Sequence, residues 1–184
     1  KEIKERRYIQ TVVGACVKEL LENNLSEDVP VRIISGNVLT GTKIEEDGYM
    51  GFYERQITAI REGVEPELFG WLIPKPNKFS ISRALPSWFM RQVGQVKYDL
   101  DTNNHGELRA FVVSGEYEKV FPFDIFPVQL LKAILNEDID AMEKLGLYEL
   151  VEEDFALCEV VCTSKINVQN IVRDGLNLLR SEVG

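Results

Sequence analysis

The sequence predicts an α+β fold in two consecutive parts, an α+β region over residues 1–120 and an all-helical domain over residues 121–184. Three observations predict it. Two short β-branched runs, residues 29–34 and 56–60, follow an amphipathic stretch near the start, and a helix lying against strands makes a small α+β unit. Pro74, Pro76 and Pro86 then interrupt regular structure in the middle of the chain. After Pro122 the apolar residues recur at helical spacing almost to the end.

Residues 8–22 read as the first helix, with Tyr8, Val12, Ala15, Cys16 and Glu19 at helical spacing. Ile9, Val13, Val17, Leu20 and Leu21 widen its apolar stripe. Asn23 and Asn24 suit its end. Residues 29–34 and 56–60 read as strands, the second closed by Arg61-Glu62-Gly63. Residues 78–83 alternate as a strand does. Residues 96–100 and 108–113 flank Asp101-Thr102-Asn103-Asn104-His105-Gly106, the loop of an expected hairpin.

In the helical domain Pro127 suits a first-turn position, and Leu130, Leu131, Ile134 and Leu135 form a stripe. Residues 138–145 repeat the pattern and stop at Gly146. Residues 152–161 form a third helix with its acids at the N-terminal end, where the helix dipole favours them. Ser164 or Asn167 caps the last helix, in which Val168, Ile171, Val172, Leu176, Leu179 and Val183 share one face.

Hydrophobic content of 45% and charged content of 28% are those of a folded globular chain. The apolar run over residues 11–17 is far too short to span a bilayer. The chain opens at Lys1 without methionine or a signal-peptide pattern, so a piece of a longer protein is expected. Three cysteines with Cys16 far from Cys158 and Cys162 suggest no disulfide framework and a reducing setting. The net charge of −9 is unevenly spread. Residues 137–160 hold nine acids and one lysine, whereas residues 69–98 hold Lys75, Lys78, Arg83, Arg91 and Lys97 with no acid, along with Trp71 and Trp88. An acidic chain with so small a basic stretch is not expected to bind nucleic acid. Lys75, Lys78, Arg83, Trp88 and Arg91 are instead candidates for docking a partner, because tryptophan and arginine are enriched at interface centres; the alternative reading is an irregular loop that packs its aromatics on the core and leaves its lysines solvated.

No catalytic, cofactor-binding or metal-binding set emerges. The stretch Gly36-Asn37-Val38-Leu39-Thr40-Gly41-Thr42-Lys43 nearly spells a phosphate loop, but threonine and lysine stand in the wrong order and no helix pattern follows. A tight structural turn is expected there. His105 has no partner at metal-ligand spacing. Cys16 reads as a buried small hydrophobe. Cys158 and Cys162 match the last two positions of the ferredoxin run C-x2-C-x2-C-x3-C-P, and counting back puts Phe155 and Glu152 at the first two. Two thiolates cannot hold a four-iron cluster, and cysteines four apart also arise by chance on a buried helix face, so the pair reads as the relic of a lost cluster site only with support from the rest of the sequence.

Several stretches together resemble the NqrA family, a component of the sodium-translocating NADH:quinone reductase, in its C-terminal part. They are Val31-Arg32-Ile33-Ile34-Ser35-Gly36-Asn37-Val38-Leu39-Thr40-Gly41-Thr42, Glu67-Leu68-Phe69-Gly70-Trp71, Asn77-Lys78-Phe79-Ser80, Tyr117-Glu118-Lys119-Val120, and Glu152-Glu153-Asp154-Phe155-Ala156-Leu157-Cys158 through Cys162. Thr163 departs from the proline that the family can keep after the second cysteine. The resemblance implies a β-grasp-like, soluble-ligand-binding-type unit over about residues 1–66 with an irregular extension behind it. It also implies that the helical domain is a cluster-free counterpart of an iron–sulfur helical domain. It further implies a peripheral subunit on the cytoplasmic face of the bacterial inner membrane. That subunit supports assembly and electron transfer from NADH to quinone coupled to sodium export. The flavins and iron centres sit in other subunits, and quinone is a possible contact. Two rival readings are a soluble-ligand-binding β-grasp module and a degenerate iron–sulfur electron-transfer subunit of the Rnf type.

Overall fold

The computed structural model describes residues 2–26, 28–63, 79, 98 and 100–183. The expected strand over residues 78–83, most of the first arm of the expected hairpin, and Lys75, Lys78, Arg83, Trp88 and Arg91 lie outside the described residues. The chain is mixed α+β and divides into two compact units, residues 1–105 and 106–184. The division falls before residue 121 because residues 106–120 belong with the helices; Tyr117, for example, sits in their core.

The first unit is built on a three-stranded antiparallel sheet of order β2-β1-β3, with β1 at Val31–Ser35, β2 at Thr42–Ile44 and β3 at Ile57–Arg61. β1 takes the centre because its β-branched residues pack well on a pleated surface. It pairs Ile33 with Ile44 on one side and with Ala59 on the other. Alternation turns Ile33 and Ile57 toward Val17 and Leu21, with Leu25, Ile44 and Met50 packed around them. At one end of the sheet Arg32 and Glu62 form a two-pronged ion pair, its Nε–Oε2 arm 2.9 Å long. The Arg32 hydrogen bond holds the Glu62 carboxyl below its ordinary range.

The expected helix over residues 8–22 shrinks to α1, Val17–Leu20. Gly14 adopts φ +74°, a left-handed conformation that ends any helix entering it. Before it, Thr11, Val12 and Val13 are β-branched and lose rotamer freedom in a helix. Val12 and Val13 therefore stand 75% and 70% exposed on irregular chain. Buried Asn24 ties down the start of this segment rather than ending a helix: its Oδ1 accepts from the Glu5 N–H and its Nδ2 donates to the Glu5 carbonyl, each at 2.8 Å. Cys16 is half-buried at the head of α1, not a core residue.

The second expected arm of the hairpin, residues 108–113, forms no strand. Its backbone partners lie in the helical unit instead. The Arg109 N–H donates to the Ser164 carbonyl at 2.8 Å, and Ser164 Oγ donates to the Ala110 carbonyl at 2.9 Å. Ser164 is thus buried here and does not cap the last helix.

The helical unit follows its sequence closely. α2 (Pro127–Leu135) opens on Pro127, whose missing N–H is no loss in a first turn. It buries Val128, Leu130, Leu131 and Ile134, while Leu135 faces outward at the helix end. α3 (Ile139–Lys144) is capped by Asp138, whose carboxylate accepts from the Ala141 N–H at 3.0 Å. Gly146 ends it at φ +84°. The expected third helix begins as a 3-10 turn, Glu152–Phe155, and continues as α4, Ala156–Val161. α5 (Val168–Val183) buries Val168, Val172 and Leu179, with Ile171 and Leu176 half-buried beside them. Asn167 caps it with a long 3.5 Å contact from the Asn170 N–H. Gly175 lets α5 come close to α2: a Cβ there would lie 2.9 Å from Ile134 Cγ1 and Cγ2.

Candidate functional site

Cys158 and Cys162 are placed by one short helix, α4 and its C-terminal residue, four positions apart and hence on one side of it. That side faces the core. Cys158 is fully buried and Cys162 nearly so. Phe155, at the position before Cys158 in the cluster pattern, is also fully buried and packs at 4.6 Å, centroid to centroid, in a tilted arrangement against Phe121. Glu152, at the first position, forms an ion pair with Arg173 of α5. From the other side Tyr117 closes the pocket. Its hydroxyl donates a 2.9 Å hydrogen bond to Cys162 Sγ, and its ring stacks on Phe111 at 6.0 Å.

The electrostatics oppose metal binding. A cluster ligand must be a thiolate, yet burial, followed by the nearby Glu118 carboxylate and the Cys162 sulfur, pushes the Cys158 thiol up to about 12. Burial also raises the Tyr117 phenol, with the Cys162 hydrogen bond next in importance. Both groups stay neutral at physiological pH. A four-iron cluster does not fit these residues: an aromatic ring and a salt-bridged glutamate hold two ligand positions, and packed side chains occupy the space between. Among the described residues no group of three or more His, Cys, Asp or Glu is arranged to hold a metal.

The turn over residues 36–41 has its own internal logic. Asn37 Oδ1 accepts from the Leu39 and Thr40 N–H groups at 2.7 and 3.1 Å, and the Gly41 N–H donates to the Asn37 carbonyl at 2.9 Å. Strand β2 follows at Thr42, so no helix N-terminus faces the turn. The near phosphate motif is a hairpin connection, as its residue order predicts. His105 Nε2 lies 3.1 Å from Asp101 Oδ1, a local loop contact. A groove of about 520 Å³ runs past Arg32, Lys43, Glu45, Glu46 and Glu62, but Glu62 already engages its arginine.

Sequence reasoning singled out Cys158, Cys162, Phe155 and Glu152 but missed their partners. Tyr117 is 45 residues from Cys162, and nothing in its local pattern marks it as a core residue. Arg173 reads as an ordinary exposed cation of an amphipathic helix.

Comparison with known proteins gives a consistent picture. Residues 2–46 match the family model described as the NQRA C-terminal domain. The chain is 39% identical, over 98% of its length, to the NqrA component of the Na(+)-translocating NADH-quinone reductase of Haemophilus influenzae strain 86-028NP. Its identity to the protein of the same name is 37% in Rhodopirellula baltica, over 98% of the chain, and 40% in Vibrio alginolyticus, over 96%. The chain spans about 40% of the length of these relatives. Among the described residues no helix is long and apolar enough to cross a membrane.

Proposed function

We propose, from the premise that this chain belongs to the NqrA family of Na(+)-translocating NADH-quinone reductase subunits over the part that it spans, that it serves in such a reductase as a cofactor-free assembly element. The observation that carries this reading is identity of 37–40% sustained across almost the whole chain, both units included. In this role it is a peripheral piece on the cytoplasmic face of the membrane. It supports electron transfer from NADH to quinone coupled to sodium export, while flavins and iron centres sit in other subunits. The first unit is then a β-grasp-like module and the second a helical domain that has lost its cluster. The buried, neutral Cys158 and the aromatic filling around it support that loss.

Assembly needs docking surfaces. The acid-free stretch with Lys75, Lys78, Arg83, Trp88 and Arg91 has the composition of one, with cations to steer association and an aromatic anchor to slow release.

The test is to tag the chain at its chromosomal locus, solubilise the membranes and identify what copurifies. The reading expects the other reductase subunits, and expects deletion of the locus to abolish sodium-dependent NADH:quinone activity. Recovery of the chain alone, with that activity intact in the deletion strain, overturns it.

A further inference from the structure

The stretch from Glu152 to Cys162 buries one side and leaves the other bare. Phe155, Cys158 and Cys162 turn inward, so helical spacing puts Glu153, Leu157 and Val160 on the opposite side. All three are exposed, Leu157 at 48% and Val160 at 39%. Val151, also exposed, immediately precedes the stretch on extended backbone.

The acids around these residues divide into two kinds. Asp154 accepts from the Val151 N–H at 2.9 Å, and Glu159 accepts from the Gln169 N–H and side-chain amide at 3.3 and 2.9 Å, so both are engaged internally. The carboxylates of Glu149 and Glu153 are exposed and make no hydrogen bond or ion pair with other described residues. Glu149 lies two residues before Val151 and Glu153 four residues before Leu157, inside the most acidic part of the chain, residues 137–160.

Charge decides what such a face complements. An anionic lipid surface attracts basic segments and repels this one. A second copy meeting it across a two-fold axis would set the same carboxylates against each other. A protein surface with an apolar centre and a lysine and arginine rim satisfies both parts: the centre desolvates Leu157 and Val160, and the rim pairs with Glu149 and Glu153. We propose that Val151, Leu157 and Val160, with Glu149 and Glu153 beside them, form a docking face for a protein surface of that kind. Resting on the function proposed above, that surface belongs to another subunit of the same reductase.

The experiment places a genetically encoded benzoyl-phenylalanine at Leu157, and in parallel at Val160, in the full chain expressed in its own cells, and irradiates gently broken cells in buffers of set salt concentration. After irradiation the cross-linked peptide is identified by mass spectrometry. The face predicts one protein, joined through a lysine- and arginine-rich segment. Adding Glu149→Lys and Glu153→Lys, both at exposed positions, should cut the yield about tenfold at low salt and much less in about 0.5 M salt, where the Debye length is short. Cross-links only to lipid, to another copy of this chain or to a segment without net positive charge overturn the face. So does a yield that charge reversal leaves unchanged while circular dichroism shows a folded variant. A basic partner outside the reductase supports the face and removes the assignment to that complex. Silence at both positions, with the reductase subunits still copurifying, overturns the face and leaves the function reading intact.

Discussion

The Tyr117 hydroxyl and the Cys162 sulfur are joined by a 2.9 Å hydrogen bond across 45 residues of chain. The bond ties the segment entering the helical unit to the end of α4, and both partners are buried. Its two halves are not equal. Sulfur is a weak acceptor that tolerates loss of its donor, whereas a buried hydroxyl without a partner keeps its desolvation cost.

Tyr117→Phe should therefore destabilise the helical unit by only about 1 kcal/mol. Cys162→Ala should cost more, about 2–3 kcal/mol, because it orphans the hydroxyl and opens a small cavity. Urea unfolding of the two variants beside wild type reads the difference. Equal costs, or a larger cost for Tyr117→Phe, would show that the hydrogen bond is not what couples the two residues.

Alkaline pH should act on the same core. The Cys158 thiol ionises near 9 when free of the fold and is pushed up to about 12 by burial. Between those values the unfolded thiol gives up its proton and the folded one keeps it, so the unfolded state binds fewer protons. Stability from this group is fully present below the unfolded value and falls as pH rises toward about 12. The raised Tyr117 phenol acts in the same direction. Urea midpoints should drop between about pH 8 and about pH 10.5, and Cys158→Ala should flatten part of that drop. A midpoint independent of pH across this window contradicts the burial argument.

Gly175 is the contact point of α2 and α5. Alanine there gains about 1 kcal/mol of helix propensity, but its Cβ would sit 2.9 Å from the stiff, β-branched Ile134. Overpacking costs about 1–3 kcal/mol, so Gly175→Ala should be destabilising by roughly 1 kcal/mol net. Combining it with Ile134→Val, which removes Cδ1 but leaves both γ carbons, should recover part of this coupling in a double-mutant cycle. A stabilised Gly175→Ala would mean that the helices separate without cost.

Anaerobic incubation with iron and sulfide should give no stoichiometric chromophore near about 400 nm, the region where such clusters absorb. Glu152→Cys combined with Phe155→Cys should not restore one. The second change empties a fully buried aromatic position, which costs about 3–5 kcal/mol when a phenylalanine is cut to alanine. Stable cluster absorbance in either protein would contradict the filled-core description.

The helical unit was largely legible because its boundary signals are local. Pro127, Asp138, Gly146 and Asn167 each mark an end through their own backbone or side-chain chemistry. The first unit was less so. Apolar spacing over residues 8–22 promised a helix, and the single left-handed Gly14 with the β-branched residues before it overrode the periodicity. The hairpin reading of residues 108–113 failed because Ser164, more than 50 residues away, supplies partners for that backbone. For the candidate site, Cys158 and Cys162 were visible as a spacing. That burial pushes the Cys158 thiol up, and that Cys162 accepts from Tyr117, depends on contacts made only once the chain has folded.

The contrast between the two cores sets an order of opening. Among the described residues the helical unit surrounds fifteen buried apolar positions, whereas the sheet unit rests on a cluster of three, Val17, Leu21 and Ile33. Amide protons of α2 and α5 should then exchange with deuterium only when the whole helical unit unfolds. Those of β2, a three-residue edge strand, should exchange through small local fluctuations at far lower free energy. The slow-exchanging helices are thus the ones that enclose Cys158 and Cys162, so reagents in solvent should reach those two sulfurs only when the helical unit opens.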